Sequence, residues 1–191
     1  MLKAAFLGLN QLSSRDPPVR LAGLWDMVIY GRAVTNILQN LRGVDRVRFD
    51  LWYAPHKAEM EQDELMKFFY KLRSNILKKG ARGVDVRARI HYLDSSQTQR
   101  AFGPPPENAT GIFIGDEIGG SGWVVRLPDG TVEKHYAELD PKTGEVELYF
   151  DDPPKSHLGK PLQDKDPIRL GMRYLAYLSN LVEDAKRAFP G

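Results

Sequence analysis

The chain has no cysteine among its 191 residues. This absence excludes disulfide bonds, thiolate zinc sites and cysteine nucleophiles. No apolar run approaches the roughly 20 residues that a membrane-spanning helix requires. Residues 3–12, KAAFLGLNQL, are the only stretch that resembles the apolar part of a signal peptide, but they are short, are interrupted by Asn10 and lack a following small-residue cleavage site. We therefore expect a cytoplasmic protein that begins at Met1 and does not enter a membrane.

Sequence patterns for metal and nucleophilic chemistry are also absent. The histidines lie in separate segments without a ligand spacing such as His-x3-His, and they are expected on the surface or on strands: His56, His91, His135 and His157. No Gly-x-Ser-x-Gly sequence, which would mark a serine nucleophile, is present. We expect no metal ion and no cofactor.

A glycine-rich segment, residues 111–122, contains five glycines. It has neither the Lys-Ser/Thr ending of a phosphate-binding loop nor a following helix whose N-terminus would hold phosphate. The segment therefore predicts a turn between strands, with Asp116 and Glu117 in solvent.

Charge is distributed unevenly along the chain. Residues 1–90 contain 16 Lys and Arg against 9 Asp and Glu, whereas residues 91–191 contain 11 against 16. The net charge of +2 therefore conceals a basic half and an acidic half. A basic half attracts a polyanion such as RNA, and the acidic half can pair with it in a dimer. The alternative is that charges of both signs only solvate the surface.

The first strong helix is predicted to begin after Asp16. That residue suits an N-cap, and Pro17 suits the first helical position. Apolar residues continue at helical spacing to Leu41, and Gly43 stops the run. Gly31 lies inside this helix, where it allows another helix to approach closely.

A second helix is predicted over residues 61–79 and ends at Gly80. Its acidic first turn and its lysine-rich last turn both suit the helix dipole. The preceding residues 44–60 are rich in aromatic side chains and contain Pro55. We interpret them as a connector that packs on the helices.

The pattern changes after Gly80 to one that is typical of strands and turns. Alternating residues predict strands at 84–93 and 144–150, and Pro128-Asp129-Gly130 marks the turn of a hairpin over 123–139. The prolines of residues 102–111 and 151–166 predict loops.

A final helix is predicted over residues 166–189, with Met172 in its apolar stripe. The stripe is too wide for a free surface helix, so we expect this helix to return to the first two. The sequence therefore predicts an α+β fold in a single domain, 1–191. An antiparallel helical bundle, from residues 17–80 and 166–189, carries an inserted small antiparallel β-sheet at about 84–150.

The main candidate site lies at the end of the second helix, where residues 67–80 read KFFYKLRSNILKKG. Arg73 and Lys78 have the spacing of an Arg-x4-His motif, with Asn75 between them. Over roughly residues 17–80 the chain resembles the HEPN domains (higher eukaryotes and prokaryotes nucleotide-binding). That resemblance implies a helical bundle that often acts as a metal-independent RNase and usually dimerises.

The chain departs from the HEPN motif at two positions. Ser74 stands where the family prefers Asn or Asp, and Lys78 stands where it needs His. A solvated lysine is protonated near neutral pH, so it binds phosphate but is a poor general base. The resemblance therefore implies the helical fold more than the nuclease activity.

The candidate binding residues are Arg32, Asn36, Arg73, Asn75, Lys78 and Lys79. Arg32 and Asn36 share a face of the first helix, so with Arg73 they can line one groove. The alternative is structural: Arg73 pairs with a carboxylate such as Asp26, Asn75 caps a connector, and the two lysines only complement the helix C-terminus.

Three functions are compatible with these patterns. The first is a non-enzymatic interaction protein, dimeric and HEPN-like, that binds RNA or a partner protein through its basic half. The second is an atypical metal-independent RNase that uses Arg73 and Asn75. The third is a structural protein that docks a partner through the β insertion.

Overall fold

The computed structural model describes residues 1–92 and 98–190 and has the predicted α+β fold. Its helices are α1 (Leu2–Gln11), α2 (Pro17–Leu38), α3 (Arg46–Gln62), α4 (Glu64–Lys79), α5 (Thr98–Phe102) and α6 (Pro167–Ala188), and a 3-10 turn (Gln39–Gly43) follows α2. The strands are β1 (Asp85–Ile90), β2 (Ala109–Ile114), β3 (Ser121–Arg126), β4 (Val132–Tyr136), β5 (Gly144–Tyr149), β6 (Ser156–His157) and β7 (Lys160–Pro161). Leu93, residues 94–97 of the predicted insertion and Gly191 lie outside the described residues. In the described part of the chain, no helix is both long enough and apolar enough to cross a bilayer.

Helices α1, α2, α4 and α6 pack around one hydrophobic core, so the final helix does return to the first two predicted helices. The fully buried residues of this core include Leu24, Met27, Leu65 and Leu178. Burial of such side chains contributes about 1.5–3 kcal/mol each, which makes this core the main source of stability. Met172 is exposed, contrary to prediction, because the buried face of α6 is centred on the neighbouring tyrosines and leucines.

Helix α1 has no counterpart in the sequence prediction, which considers residues 3–12 only as a signal-like stretch. It crosses α2 at Gly8 and Gly23. A Cβ atom at Gly8 would lie 2.5 Å from the backbone nitrogen of Met27, and one at Gly23 would lie 2.5 Å from that of Leu12. Because both residues lack a side chain, the two helices pack backbone against backbone.

The helix ends follow the predicted signals with one shift. Asp16 and Asp166 cap α2 and α6 by accepting hydrogen bonds from first-turn amides. Gly80 ends α4 in the left-handed conformation. Helix α4 begins at Glu64 rather than at Glu61, because the buried Asp63 carboxylate caps it.

The prediction that residues 44–60 form a connector is wrong, because most of them belong to helix α3. Phe49, Trp52 and Tyr53 recur at helical spacing and their rings contact one another, with Phe49 stacked on Tyr53. The indole nitrogen of Trp52 donates to Asp184 on α6 at 3.0 Å. We infer that these tertiary contacts outweigh the roughly 3 kcal/mol that Pro55 costs inside a helix.

Within the described residues, the strands after α4 form three small antiparallel sheets rather than one: β1 with β5, β2-β3-β4, and β6 with β7. The predicted turn at residues 128–130 joins β3 to β4, and the predicted half-buried strand at 144–150 corresponds to β5. The predicted loop at 151–166 also contains β6 and β7, and the predicted loop at 102–111 runs into β2.

The three-stranded ladder is attached to the N-terminal end of α2 through the glycine-rich loop, residues 115–120. Nη2 of Arg20 donates to the carbonyl oxygens of Ile118 at 3.2 Å and Gly119 at 2.7 Å. These bonds satisfy two carbonyl groups with one cation, and they connect the β insertion directly to the helices.

Asp116, expected in solvent, is instead buried at the centre of this loop, with its side chain 4% exposed. It accepts hydrogen bonds from Nζ of Lys134 at 2.8 Å, from the hydroxyl of Tyr136 at 3.0 Å and from two loop amides. Burial raises the pKa of Asp116, but the bonds from Lys134, the amides and Tyr136 outweigh it and lower that pKa below its usual value. Glu117 is exposed, as predicted.

Candidate functional site

An open cleft of about 880 Å³ lies between the C-terminal half of α2, helix α3 and the N-terminal half of α4, with α6 beneath. The polar side chains that line it are Arg32, Thr35, Asn36, Gln39, Arg42, Asp50, Tyr53, Lys57, Glu61, Lys67, Tyr70 and Tyr174. Several apolar residues complete the walls. Segments that are far apart in the sequence therefore converge on one cavity large enough for part of a polymer or for a small ligand.

The cleft carries an excess of positive charge. Two of its four cations are paired with carboxylates at its rim, Arg42 with Asp50 at 3.2 Å and Lys57 with Glu61 at 3.7 Å. Within residues 1–92 and 98–190, Arg32 and Lys67 form no salt bridge. Two positive charges are therefore uncompensated, which favours an anionic ligand.

Arg32 is positioned by groups that do not neutralise it. One Nη donates to the hydroxyl of Thr35, which itself donates to the Arg32 carbonyl oxygen. The guanidinium lies over the ring of Tyr70, 5.4 Å from its centroid. A guanidinium has five N–H donors, so this arrangement leaves several of them for a ligand.

Tyr53 adds a second aromatic side chain beside Arg32. Burial raises the pKa of Tyr53, although the Arg32 charge and a hydrogen bond with Gln39 oppose that rise. The phenol is therefore neutral at physiological pH. Tyr53 and the half-exposed Tyr70 both line the cleft and present ring surface on which a planar group can stack.

Tyr174 forms part of the cleft floor and is only 2% exposed. Its ring stacks on Phe69 at 4.2 Å and lies against α2 at Gly31, where a Cβ atom would be 2.6 Å from Cε1 and 3.2 Å from the hydroxyl oxygen. The prediction that another helix approaches Gly31 closely is thus confirmed.

The Tyr174 hydroxyl has no hydrogen-bond partner among the described residues. The oxygen is not one of the fully buried unpaired polar atoms of the described residues, so it is accessible from the cleft. Burial raises the pKa of Tyr174 far above its usual range, against the smaller opposing effect of Arg32. The floor therefore offers a permanent O–H donor beside a permanent cation.

The structure divides the residues predicted from the sequence into two groups. Arg32 and Asn36 line the cleft. The second group, which is absent from the lining, consists of Arg73, Asn75, Lys78 and Lys79. Nε of Arg73 is buried without a hydrogen-bond partner in the described part of the chain, and no ion pair joins Arg73 to Asp26 there. Lys78 and Lys79 are exposed in the last turn of α4.

Among the cleft residues that were not predicted as site residues, four bear on ligand binding: Tyr53, Lys67, Tyr70 and Tyr174. Lys67 and Tyr70 occupy the same face of α4 at i and i+3, which the sequence shows once α4 is known to face a cavity. Tyr53 required the recognition of α3 as a helix, and Tyr174 reads as an ordinary core residue of α6. No local pattern marks the unpaired hydroxyl.

Two histidines pair with carboxylates. His157 lies on strand β6, in agreement with the prediction that each histidine is a surface or strand residue, whereas His56 lies in helix α3 and is partly buried. Nδ1 of His157 lies 3.1 Å from both carboxylate oxygens of Asp63. Burial raises the pKa of Asp63, but hydrogen bonds from the Leu158 and Met66 amides and from His157 outweigh it and lower that pKa. Because Asp63 also caps α4, this pair fastens the β6–β7 hairpin to the bundle.

The second pair joins α3 to α6. Oδ2 of Asp184 lies 3.0 Å from Nε2 of His56 and accepts the Trp52 bond described above. Hydrogen bonds from Trp52, Arg187 and His56 lower the pKa of Asp184 to about 2. Across the described residues, no three His, Asp or Glu side chains are grouped as a metal site requires.

Comparison of the chain with protein-family models, with curated proteins and with solved structures gives no match.

Proposed function

We propose that this chain is a non-enzymatic, cytoplasmic RNA-binding protein that holds single-stranded RNA in the cleft between α2, α3 and α4. The observation that carries the proposal is the environment of Arg32: a cation without a carboxylate partner, stacked on Tyr70, in an open cavity. Single-stranded RNA supplies phosphates for the cations and bases for the tyrosine rings.

The composition of the cleft favours RNA over an acidic peptide. A peptide carboxylate would use the cations alone, whereas the rings of Tyr53 and Tyr70 and two side-chain amides, Asn36 and Gln39, also line the cavity. Aromatic rings stack on bases for about 1–3 kcal/mol each, and amides can hydrogen-bond to base edges. All of these groups have a role with RNA.

We further propose a HEPN-like helical core and a homodimer. The core rests on the helix that ends with Arg73 and Lys78. The dimer rests on an exposed apolar stripe formed by Val44, Val47 and Leu51, which are 76%, 71% and 74% exposed.

A second copy of this chain suits the apolar stripe. Arg46 and Arg48 lie at the start of α3 and Glu59 and Glu61 near its end, so an antiparallel pair of α3 helices would place opposite charges together. Sedimentation velocity of the unmodified protein is expected to give the mass of a dimer, and a monomer at all concentrations would contradict this part of the proposal.

The test of RNA binding is fluorescence anisotropy with a labelled single-stranded RNA that has hydroxyl groups at both ends, measured at two salt concentrations. Arg32→Met is expected to weaken binding about tenfold, because a charge-assisted bond to phosphate is lost. It should also reduce the slope of log affinity against log salt by about one. The RNA should stay intact with EDTA or with magnesium.

Arg89→Met is the matched control. Arg89 is exposed, pairs with Glu145 at 2.7 Å and lies on β1, away from the cleft. Arg89→Met removes the same charge as Arg32→Met, but from a position outside the cleft, so RNA affinity should change little. Equal losses in both variants, or no binding by the unmodified protein, would overturn the proposal. Cleavage in EDTA that Arg32→Met leaves unchanged would instead point to a nuclease site elsewhere.

A further inference from the structure

We propose that the cleft floor binds a terminal phosphomonoester, the phosphate group at the end of an RNA strand, through Arg32, Lys67 and the hydroxyl of Tyr174. This inference rests on the proposed RNA binding and adds the part of the strand that the floor recognises.

The hydrogen-bond donors of the cleft floor suit a phosphate group. Arg32 provides a guanidinium, whose planar fork matches two phosphate oxygens, and Tyr174 provides an O–H group that nothing in the described chain accepts. The carboxylates that line the cleft are already paired with Arg42 and Lys57. The charged groups that remain unpaired are therefore cations, and together with the Tyr174 hydroxyl they complement a group with only acceptor oxygens.

The charge of the cleft matches that of a terminal phosphate group. A phosphomonoester carries close to two negative charges at neutral pH, whereas a phosphodiester inside a strand carries one. The uncompensated cations of the cleft are also two, Arg32 and Lys67. A terminal phosphate therefore matches the charge of the cavity better than an internal phosphate does.

The Tyr174 hydroxyl can be reached only from inside the cleft. Tyr174 is buried apart from its contribution to the floor, so a ligand must enter the cavity to reach its hydroxyl. An internal phosphodiester has chain on both sides, and both chains would have to turn back through the cleft mouth. A strand end has chain on one side only and can enter with its phosphate first, while its outermost base reaches the rings of Tyr53 and Tyr70.

The experiment compares three single-stranded RNAs of one sequence, with a 5′-phosphate, with a 3′-phosphate and with hydroxyl groups at both ends. The unmodified protein is expected to bind one of the phosphorylated strands about tenfold more tightly than the hydroxyl-ended strand. Tyr174→Phe removes one oxygen that has no protein partner, so the fold should persist while most of this preference disappears.

Tyr177→Phe is the matched control on the same helix. Tyr177 is also a buried residue, but its hydroxyl donates to Oε1 of Glu59 at 2.8 Å, and it does not line the cleft. This variant should keep the full preference for a phosphorylated end, and its thermal unfolding should shift to a lower temperature. Tyr174→Phe should instead lose most of the preference and keep the unfolding temperature of the unmodified protein.

Competition with inorganic phosphate distinguishes the two sources of the same group. Displacement of the phosphorylated strand by inorganic phosphate at the concentration of the strand would assign the floor to a free phosphate ion and overturn the inference, whereas displacement only by a second phosphorylated strand supports a strand end. Equal affinity of the unmodified protein for all three RNAs, or a preference that Tyr174→Phe leaves intact, would overturn the inference. In either case, RNA binding that depends on Arg32 would leave the proposed function standing.

Discussion

The two ends of helix α2 use the same residue type for different purposes. Near the N-terminal end, Arg20 donates to two carbonyl oxygens of the glycine-rich loop and attaches the β insertion to the helices. Three turns later, Arg32 bonds only within its own helix and lies over a tyrosine ring in an open cleft. One arginine completes the fold and the other is free for a ligand.

This difference shows why a count of basic residues is a poor guide to a binding site. The basic half of the chain contains 16 Lys and Arg. Many of them already have a partner, such as Arg20 with carbonyl groups and Arg42 with Asp50. A cation contributes to recognition when the fold leaves it unpaired and accessible, and both conditions depend on tertiary contacts.

The largest expected effect separates the two ends of α2 by stability. Gly23→Ala places a Cβ atom 2.5 Å from the α1 backbone and should lower the free energy of unfolding by about 3 kcal/mol. Gly43→Ala, just beyond the C-terminal end, meets nothing within 4 Å and should change it by less than about 0.5 kcal/mol. Urea unfolding of both variants measures the difference, and similar costs would break the comparison.

The next effect compares the two arginines directly. Arg20→Met leaves two loop carbonyls without their donor and should destabilise the protein by about 2 kcal/mol, with RNA affinity retained. Arg32→Met breaks no tertiary salt bridge, so its unfolding free energy should stay within about 0.5 kcal/mol of the unmodified protein. If Arg32→Met proved the more destabilising variant in urea, the assignment of roles to the two ends would be reversed.

The smallest expected effect is the pH dependence of stability at Asp116, in the loop that Arg20 attaches to the N-terminal end of α2. The pKa of Asp116 is lower in the folded protein than in the unfolded chain. Asp116 therefore contributes stability above its unfolded pKa of about 3.9, and this contribution is lost as pH falls through the folded value. Asp116→Asn should be less stable than the unmodified protein at pH 7, and the gap should narrow between pH 4 and pH 2. Urea unfolding across this range measures it, and parallel curves would contradict it.

Local signals in the sequence predict most of the fold. Capping residues and helical spacing place α2, α4 and α6, and the Pro-Asp-Gly turn places the β3–β4 hairpin. The failures have tertiary causes. Helix α3 persists through Pro55 because its aromatic face packs on α6, and α1 depends on the glycine contact with α2. A contact with a distant segment leaves no mark in a short window of sequence.

The candidate site is less predictable than the fold for the same reason. Arg32 and Asn36 are recognisable as polar neighbours on one helix face. The importance of Tyr174 depends on a hydroxyl that lines the cleft and has no partner among the described residues, and only the assembled structure shows both. Arg73 illustrates the converse, since its motif draws attention although it does not line the cleft.

The pairing of β1 with β5 has a consequence for how this chain can change in evolution. Asp85 pairs with Tyr149 and Ile90 with Gly144, so the chain leaves and re-enters the bundle through one two-stranded stem. Beyond the stem, the glycine-rich loop makes a second attachment, through its bonds with Arg20. A flexible loop that doubles in length costs only about 0.6 kcal/mol of closure entropy. The parts of the insertion outside the stem and the glycine-rich loop can therefore lengthen, shorten or be exchanged between lineages while the helices and their cleft are inherited unchanged.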